Sequence, residues 1–476
     1  MCVFSKTQLV YNYGKKQKRH TKFLSHEIKF ASLHTNFYVL MNCVRILSRK
    51  MRYRETILML LSFLIAGVAF AQNNTNSPYS RYGYGQLADL GASNSRAMGG
   101  VAYGLRDKAH TNFANPASYT AIDSLTFVFE AGLSLQNTNF DNGTFKTNAK
   151  NTSFDYISMH FRVGNKFGMS LGLLPYTNVG YDMSNETKDA TDKEKTYVTN
   201  YFGDGGLHQA YVGLAYKINR KLSIGANIYY LWGDVNHAMM QTFPYNTDAY
   251  GVMKREHVGV NSVKFDIGAQ YSHQFGKKDF ITFGAVFSPG YNLTNTTYVQ
   301  DILGNSSAII NGATSGMTVN ETVLDVKSGI PTSFGVGVAY TRDDRLTVGM
   351  DVSYQLWSKV SFMGNEDAFV DRTKISVGAE YLPNPIGSNI LKRIKYRVGA
   401  YYNAPYYKLD GVRASKEWGV SAGFSIPIMR SRSYVNISGQ YARVNGQTAN
   451  FIHENQLRVN IGITFNERWF YKTRVN

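Results

Sequence analysis

Apolar and polar residues alternate with a period of two along most of the chain after about Asp123. Between residues 221 and 233, Leu222, Ile224, Ala226, Ile228, Tyr230 and Trp232 share one face, and Ser223, Gly225, Asn227 and Tyr229 the other. Val263, Phe265, Ile267, Ala269 and Tyr271 alternate with Lys264, Asp266, Gly268, Gln270 and Ser272. The same rhythm recurs at 346–356 and 457–465. Side chains of a strand point alternately to opposite sides. The pattern therefore predicts strands with one apolar, aromatic face and one face of small, polar or charged residues.

Strands are expected at 124–138, 152–163, 167–185, 206–217, 221–234, 262–275, 279–291, 330–341, 345–358, 371–382, 393–404, 416–427, 433–444 and 455–465, fourteen in all. Long connections at 139–151, 186–205, 235–261, 292–329, 359–370, 405–415 and 445–454 alternate with short turns such as Asn165-Lys166, Asn219-Arg220 and Arg342-Asp343-Asp344. Residues 383–392 are the one longer connection on the short-turn side. A soluble β-sandwich also alternates. Its strands usually run about 5–6 residues, whereas a tilted membrane strand needs about 9–11. Strand length and the long–short alternation of loops together favour an all-β, transmembrane antiparallel β-barrel of about fourteen strands.

One long apolar run, Ile57 to Ala71, follows the basic stretch Met51-Arg52-Tyr53-Arg54 and ends in Ala69-Phe70-Ala71. This is the form of a secretory signal peptide, with cleavage expected before Gln72. No cysteine follows, which excludes a lipoprotein anchor. Residues 1–50 are then expected to be an extension from a misplaced start, with Met51 as the true one. The leader 1–71 carries ten of the formal net charge of +18, leaving +8, and it holds both cysteines, Cys2 and Cys43. The high overall charge thus gives no support to nucleic-acid binding, and disulfide or thiol chemistry is excluded from the exported part. Export places the barrel in the outer membrane of a Gram-negative cell, in contact with its lipid.

Within the exported chain the expected divisions are 72–122 before the barrel, the barrel at 123–465, and a periplasmic tail at 466–476. The last strand ends in Phe465, with Gly462 three residues before it, a form read by the barrel-assembly machinery during biogenesis. Trp469, Phe470 and Tyr471 in the tail suit the membrane interface.

Residues 72–122 do not alternate. They contain Arg96-Ala97-Met98-Gly99-Gly100 and, directly before the first strand, Asn115-Pro116-Ala117. They form either a periplasmic extension or a plug inside the barrel. This order of segments resembles the outer-membrane long-chain fatty-acid transporter family (FadL-type, including aromatic-hydrocarbon transporters). The resemblance implies a fourteen-stranded barrel plugged by a small N-terminal hatch, with Arg96, Gly99, Gly100, Asn115 and Pro116 as hatch positions. It also implies passive transport of hydrophobic small molecules, with no cofactor.

In the third strand, Leu174-Pro175-Tyr176 and Gly180 interrupt the pattern. Proline cannot donate to a ladder, so Pro175 marks a bulge or a break in pairing. The resemblance implies that Pro175 and Gly180 belong to a lateral gate through which an apolar ligand leaves into the bilayer. The third and fourth outside connections carry Met239, Met240, Phe243, Ile309 and Ile310. These form either loop-on-loop packing or, as the resemblance implies, a capture site for the hydrophobic ligand.

Inward positions include Asp266, Asp351, Lys374, Glu380, Arg397 and Arg458, a set suited to ion pairs with a plug. Gly419-Val420-Ser421-Ala422-Gly423 has the spacing of a hydrolase elbow, but it lies inside an alternating strand rather than at a strand–helix turn. The histidines are scattered without metal-ligand spacing. No enzyme activity is expected. The rival to transport is an accessory barrel subunit of an outer-membrane assembly or secretion complex, with protein partners and no cargo.

Overall fold

The computed structural model describes residues 75–123, 126–188, 192–246, 248–311, 317–387, 389–409, 411–428, 432–447 and 452–468. The expected extension at 1–50, the signal peptide at 51–71 and most of the tail lie outside the described residues.

A short strand, β1 (Gln86–Leu87), precedes the barrel. The wall begins with β2 (Thr126–Asp141), β3 (Lys146–Arg162), β4 (Phe167–Pro175), β5 (Thr177–Thr187), β6 (Tyr197–Lys217), β7 (Leu222–Thr242), β8 (Tyr250–Gln274) and β9 (Asp279–Ser288). Between β9 and the next wall strand come β10 (Tyr291–Asn292), β11 (Asn295–Asn305), β12 (Met317–Leu324) and β13 (Gly329–Ile330). The wall continues with β14 (Ser333–Arg342), β15 (Leu346–Gln355), β16 (Arg372–Tyr381) and β17 (Lys395–Ala404). A small hairpin of β18 (Lys408–Leu409) and β19 (Val412–Arg413) precedes β20 (Ser415–Pro427), β21 (Tyr434–Gly446) and β22 (His453–Arg468).

All wall pairings are antiparallel. The ring closes where β2 pairs with β22, from Thr126 opposite Arg468 to Asp141 opposite His453. With β4 and β5 counted as one broken strand, the barrel has fourteen strands. Closure leaves the spanning backbone hydrogen-bonded within the wall, as a bilayer demands, except beside the break in the third strand. Ile224, Ile228, Phe265, Ile267, Val336 and Val398 lie exposed on the outer face. Glu130, Asn227, Gln270, Asp351, Arg397 and Thr464 are buried on the inner one.

Two expectations are corrected. The expected loops 235–261 and 292–329 are largely strand. β7 runs on to Thr242, β8 spans 25 residues, and the upper part of β8 pairs with β11, which pairs in turn with β12. These strands extend beyond the membrane as a projecting sheet. Much of it is open to water, so the apolar–polar contrast that marks a membrane strand fades at Lys254, Arg255, Glu256 and His257. The third strand is also not continuous. It stops at Pro175 and resumes at Thr177 with a register one residue out of step on β6: Pro175 stands opposite His208, but Val179 opposite Gly205.

Residues 75–123 lie against the inner wall. Strand after strand presents a glycine where their backbone passes. A Cβ at Gly399 would overlap the Met98 carbonyl carbon, and one at Gly284 the Tyr103 carbonyl oxygen. Gly168, Gly225 and Gly378 meet the main chain of Tyr119, Pro116 and Met98 in the same way, while Gly268 and Gly462 make room for the side chains of Asn115 and Ser93. Main chain thus packs directly on main chain around much of the barrel.

This arrangement predicts that Gly399→Val and Gly284→Val each lower stability by about 1–3 kcal/mol through overpacking. Gly439→Ala should be near neutral, because nothing lies within 4 Å of its added Cβ. Thermal unfolding of the detergent-solubilised protein measures all three.

Candidate functional site

The lumen and the segment that fills it form one bonded system. Arg96 ends a helical turn, Ser93–Arg96, and is buried. Its guanidinium pairs with Asp155 at 3.0 Å and donates to the Gly91 and Asp89 carbonyls. Asp155 reaches the lumen because β3 slips by one residue against β2 between Gly132 and Leu133. That bulge lets the adjacent Tyr156 also face inward, where its hydroxyl meets Ser93.

The Asp89 side chain takes Lys374 at 2.7 Å and Arg458 at 3.4 Å. Burial pushes its carboxyl up, but Lys374, Arg458 and Arg96 overcome this and hold it well below the ordinary carboxylate range. Asp107 behaves alike: burial raises it, and Lys395 and His110 more than reverse that. Lys395 in turn joins Glu380, which Arg397 pairs at 2.6 Å.

Gly99 and Gly100 form a turn in the left-handed region, at φ +70° and +92°. The Gly99 N–H donates to Ser421 Oγ, and that hydroxyl donates to the Ala97 carbonyl. Ser421, the serine of the elbow-like spacing, therefore sits mid-strand in β20 and anchors the N-terminal segment. One Asp351 oxygen accepts from the Ala102 and Tyr103 N–H groups at 2.5 and 2.7 Å. Asn115 caps the 3₁₀ helix Pro116–Ala121 by accepting from the Ala117 N–H, and its amide donates to the Tyr103 carbonyl. At the lower end Glu130 takes His110 at 2.6 Å and the Thr111 N–H at 2.9 Å.

Between segment and wall a cleft of about 220 Å³ lies near Asp107, and two smaller cavities, of about 80 and 100 Å³, lie near Asp89. Asp89, Arg96, Arg372 and Lys374 line both, and Glu417, Glu454 and Arg458 line the first. Such spaces suit a few waters.

The break at Tyr176 opens a seam. β3 pairs with β4 only from Ile157 to Arg162, and among the described residues no pairing joins the upper part of β3 to β5. The N-terminal segment contacts both sides of it. Asn76 meets Asn151 on β3, Ser80 Oγ donates to the Gly180 carbonyl on β5, and β1 pairs with Thr177 and Asn178. Pro175 and Gly180 thus flank this seam. Sequence reading missed Gly205, Gly206 and Gly233, all at positive φ, through which β6 and β7 follow the bend. The run Gly203-Asp204-Gly205-Gly206 was the available signal.

The five residues expected to capture a ligand do not share one surface. Met240 stands opposite Met253, and Ile309 approaches the same face at Gly251. Phe243 touches Tyr197, and its N–H bonds Ser306. Met239 points to the other side of the sheet, opposite Lys254, and Ile310 is exposed.

A family model described as BamG matches residues 53–476. Among solved structures, the Ralstonia pickettii toluene transporter TbuX is similar with a TM-score of 0.53 and 15% identity, over 80% of this chain and 99% of that one. The CymD monoaromatic hydrocarbon channel has a TM-score of 0.50 and 15% identity, over 82% and 100%. The Pseudomonas putida toluene transporter TodX has a TM-score of 0.50 and 14% identity, over 81% and 100%. No curated protein matches the chain. The fold is therefore that of the FadL-type hydrocarbon channels, an integral outer-membrane barrel.

Arg96→Met leaves Asp155 buried without its counter-charge, an expected loss of about 3–5 kcal/mol. Adding Asp155→Leu should restore most of it; urea unfolding in detergent measures both. Asp89 has a lower pKa folded than its ordinary 3.8, so its stabilisation is complete above that value and lost as pH falls through the range below it. Protease cleavage of the N-terminal segment should rise on acidification, and less so in Lys374→Met.

Proposed function

The chain belongs to the BamG family, and from that premise we propose that it is a sealed barrel serving as a subunit of an outer-membrane protein assembly. The observation that carries this reading is the polar, ion-paired filling of the lumen. An apolar cargo crossing it would have to separate Asp89 from Lys374 and Arg458, and Asp155 from Arg96, and desolvate each. In this reading residues 75–123 are a fixed hatch whose task is to close and stiffen the barrel. The family name supports an assembly context. The likeness to hydrocarbon channels at 14–15% identity supports the fold and leaves the task open.

Extraction of the tagged chain from its native membrane in mild detergent tests this directly. Outer-membrane proteins should co-purify in fixed ratio, and the purified barrel should show no conductance in planar bilayers. A solitary barrel that speeds entry of toluene or a fatty acid into vesicles would overturn the proposal.

One observation favours a second reading, passive transport of a hydrophobic small molecule. The seam beside Pro175 and Gly180 is covered not by a full wall strand but by the N-terminal segment, through β1 on Thr177 and Asn178, Ser80 on Gly180 and Asn76 on Asn151. Ligand would be captured on the face shared by Met240 and Ile309, and would leave sideways when β1 detaches. Gln86 and Asn178 are Cα partners, and no cysteine follows Cys43. A disulfide between Gln86→Cys and Asn178→Cys should then abolish uptake until reduced. Uptake unchanged by the lock removes this reading.

A further inference from the structure

The projecting sheet ends in an open edge. Among the described residues β12 pairs only with β11, from Met317 opposite Gly304 to Leu324 opposite Thr297. Its residues 318–323 are exposed on both faces, with Val319 at 54% and Val323 at 70%. Open edges recruit other strands, and proteins blunt them with charged side chains, above all lysine, with proline or with a bulge. β12 reads Met-Thr-Val-Asn-Glu-Thr-Val-Leu, has no lysine, proline or bulge, and carries the single charge of Glu321.

Three rows of side chains run across the sheet to this edge. Met240, Met253, Ile302 and Val319 stand opposite one another in turn on β7, β8, β11 and β12. Two residues along lies Ala238, Arg255, Gln300 and Glu321, in which Gln300 donates to Glu321 at 2.7 Å. Next comes Asn236, His257, Tyr298 and Val323, with the His257 and Tyr298 rings stacked at 4.4 Å. On this face the edge therefore presents apolar, acidic and apolar positions in order. On the other it presents Thr318, Asn320 and Thr322.

We propose that β12 is a docking edge for an extended segment of a partner protein at the cell surface, carrying a basic residue between two apolar ones at alternate positions. The backbone edge supplies hydrogen bonds, and the alternate side chains supply the selection. The basic residue lies beside Glu321, and the apolar ones extend the rows ending at Val319 and Val323. The pattern is symmetric about Glu321, so either strand direction satisfies it. A second copy of this chain does not fit: pairing that matches Val319 with Val323 sets Glu321 against Glu321, and like charges directly opposite are destabilising. The proposal concerns the outer surface alone and holds whether or not the lumen conducts.

The probe is a short fluorescent peptide in which threonines alternate with valine, lysine and valine. The full barrel in detergent should bind it. Binding should weaken about fivefold when glutamate replaces the lysine, and should be lost when alternate backbone amides are N-methylated. Glu321→Lys should reverse the preference between the two peptides. Val319→Lys with Val323→Lys should abolish binding while leaving the thermal midpoint of the barrel unchanged. No binding of the lysine peptide, binding indifferent to N-methylation, or a preference that survives Glu321→Lys would overturn the proposal. Dimers of the wild-type chain that vanish in Val319→Lys with Val323→Lys would assign the edge to a second copy instead.

Discussion

Direct contact between the main chain of residues 93–120 and the inner wall governs the rest of the structure. A fourteen-stranded barrel is too wide for its own side chains to fill. Here the gap is filled by backbone, and glycines such as Gly284, Gly378 and Gly399 make the room. Once main chain lies on main chain, its polar groups need partners, because water is largely displaced. Asp351, Ser421, Gln270 and Asn115 meet that need at short range. The charged pairs follow for the same reason: Arg96 with Asp155, and Asp89 with Lys374 and Arg458, keep buried charges compensated.

The third-strand break depends on the same filling. An unpaired stretch of wall in a bilayer leaves amide and carbonyl groups without partners, at a cost of several kcal/mol each. β1 and Ser80 supply part of what β3 does not. The kinked third strand is in this way covered from the inside. The wall has the hydrocarbon-channel fold, and the interior behind it is ionic.

Much of this was legible in the residues. The wall strands follow from alternation, and the inward set of Asp266, Asp351, Lys374, Glu380, Arg397 and Arg458 does line the interior. Pro175 was readable as a break because proline lacks a ladder donor. Other features were not. Asp155 beside Tyr156 breaks the period of two, and only the slip against β2 explains why both face inward. The projecting sheet was read as loops because strands that leave the bilayer need no continuous apolar face. The five apolar residues of those connections were grouped by type, yet a strand sends neighbours such as Met239 and Met240 to opposite sides.

The closing pair of strands carries a consequence for biogenesis. β2 and β22 are joined along their whole length, yet more than three hundred residues separate them in the chain. The N-terminal segment touches nearly every strand of the ring and precedes all of them in synthesis. The join between first and last strands therefore encloses a segment that itself holds both of them, with His110 on Glu130 of β2 and Ser93 beneath Gly462 of β22. What fills the ring is in this way tied to what closes it.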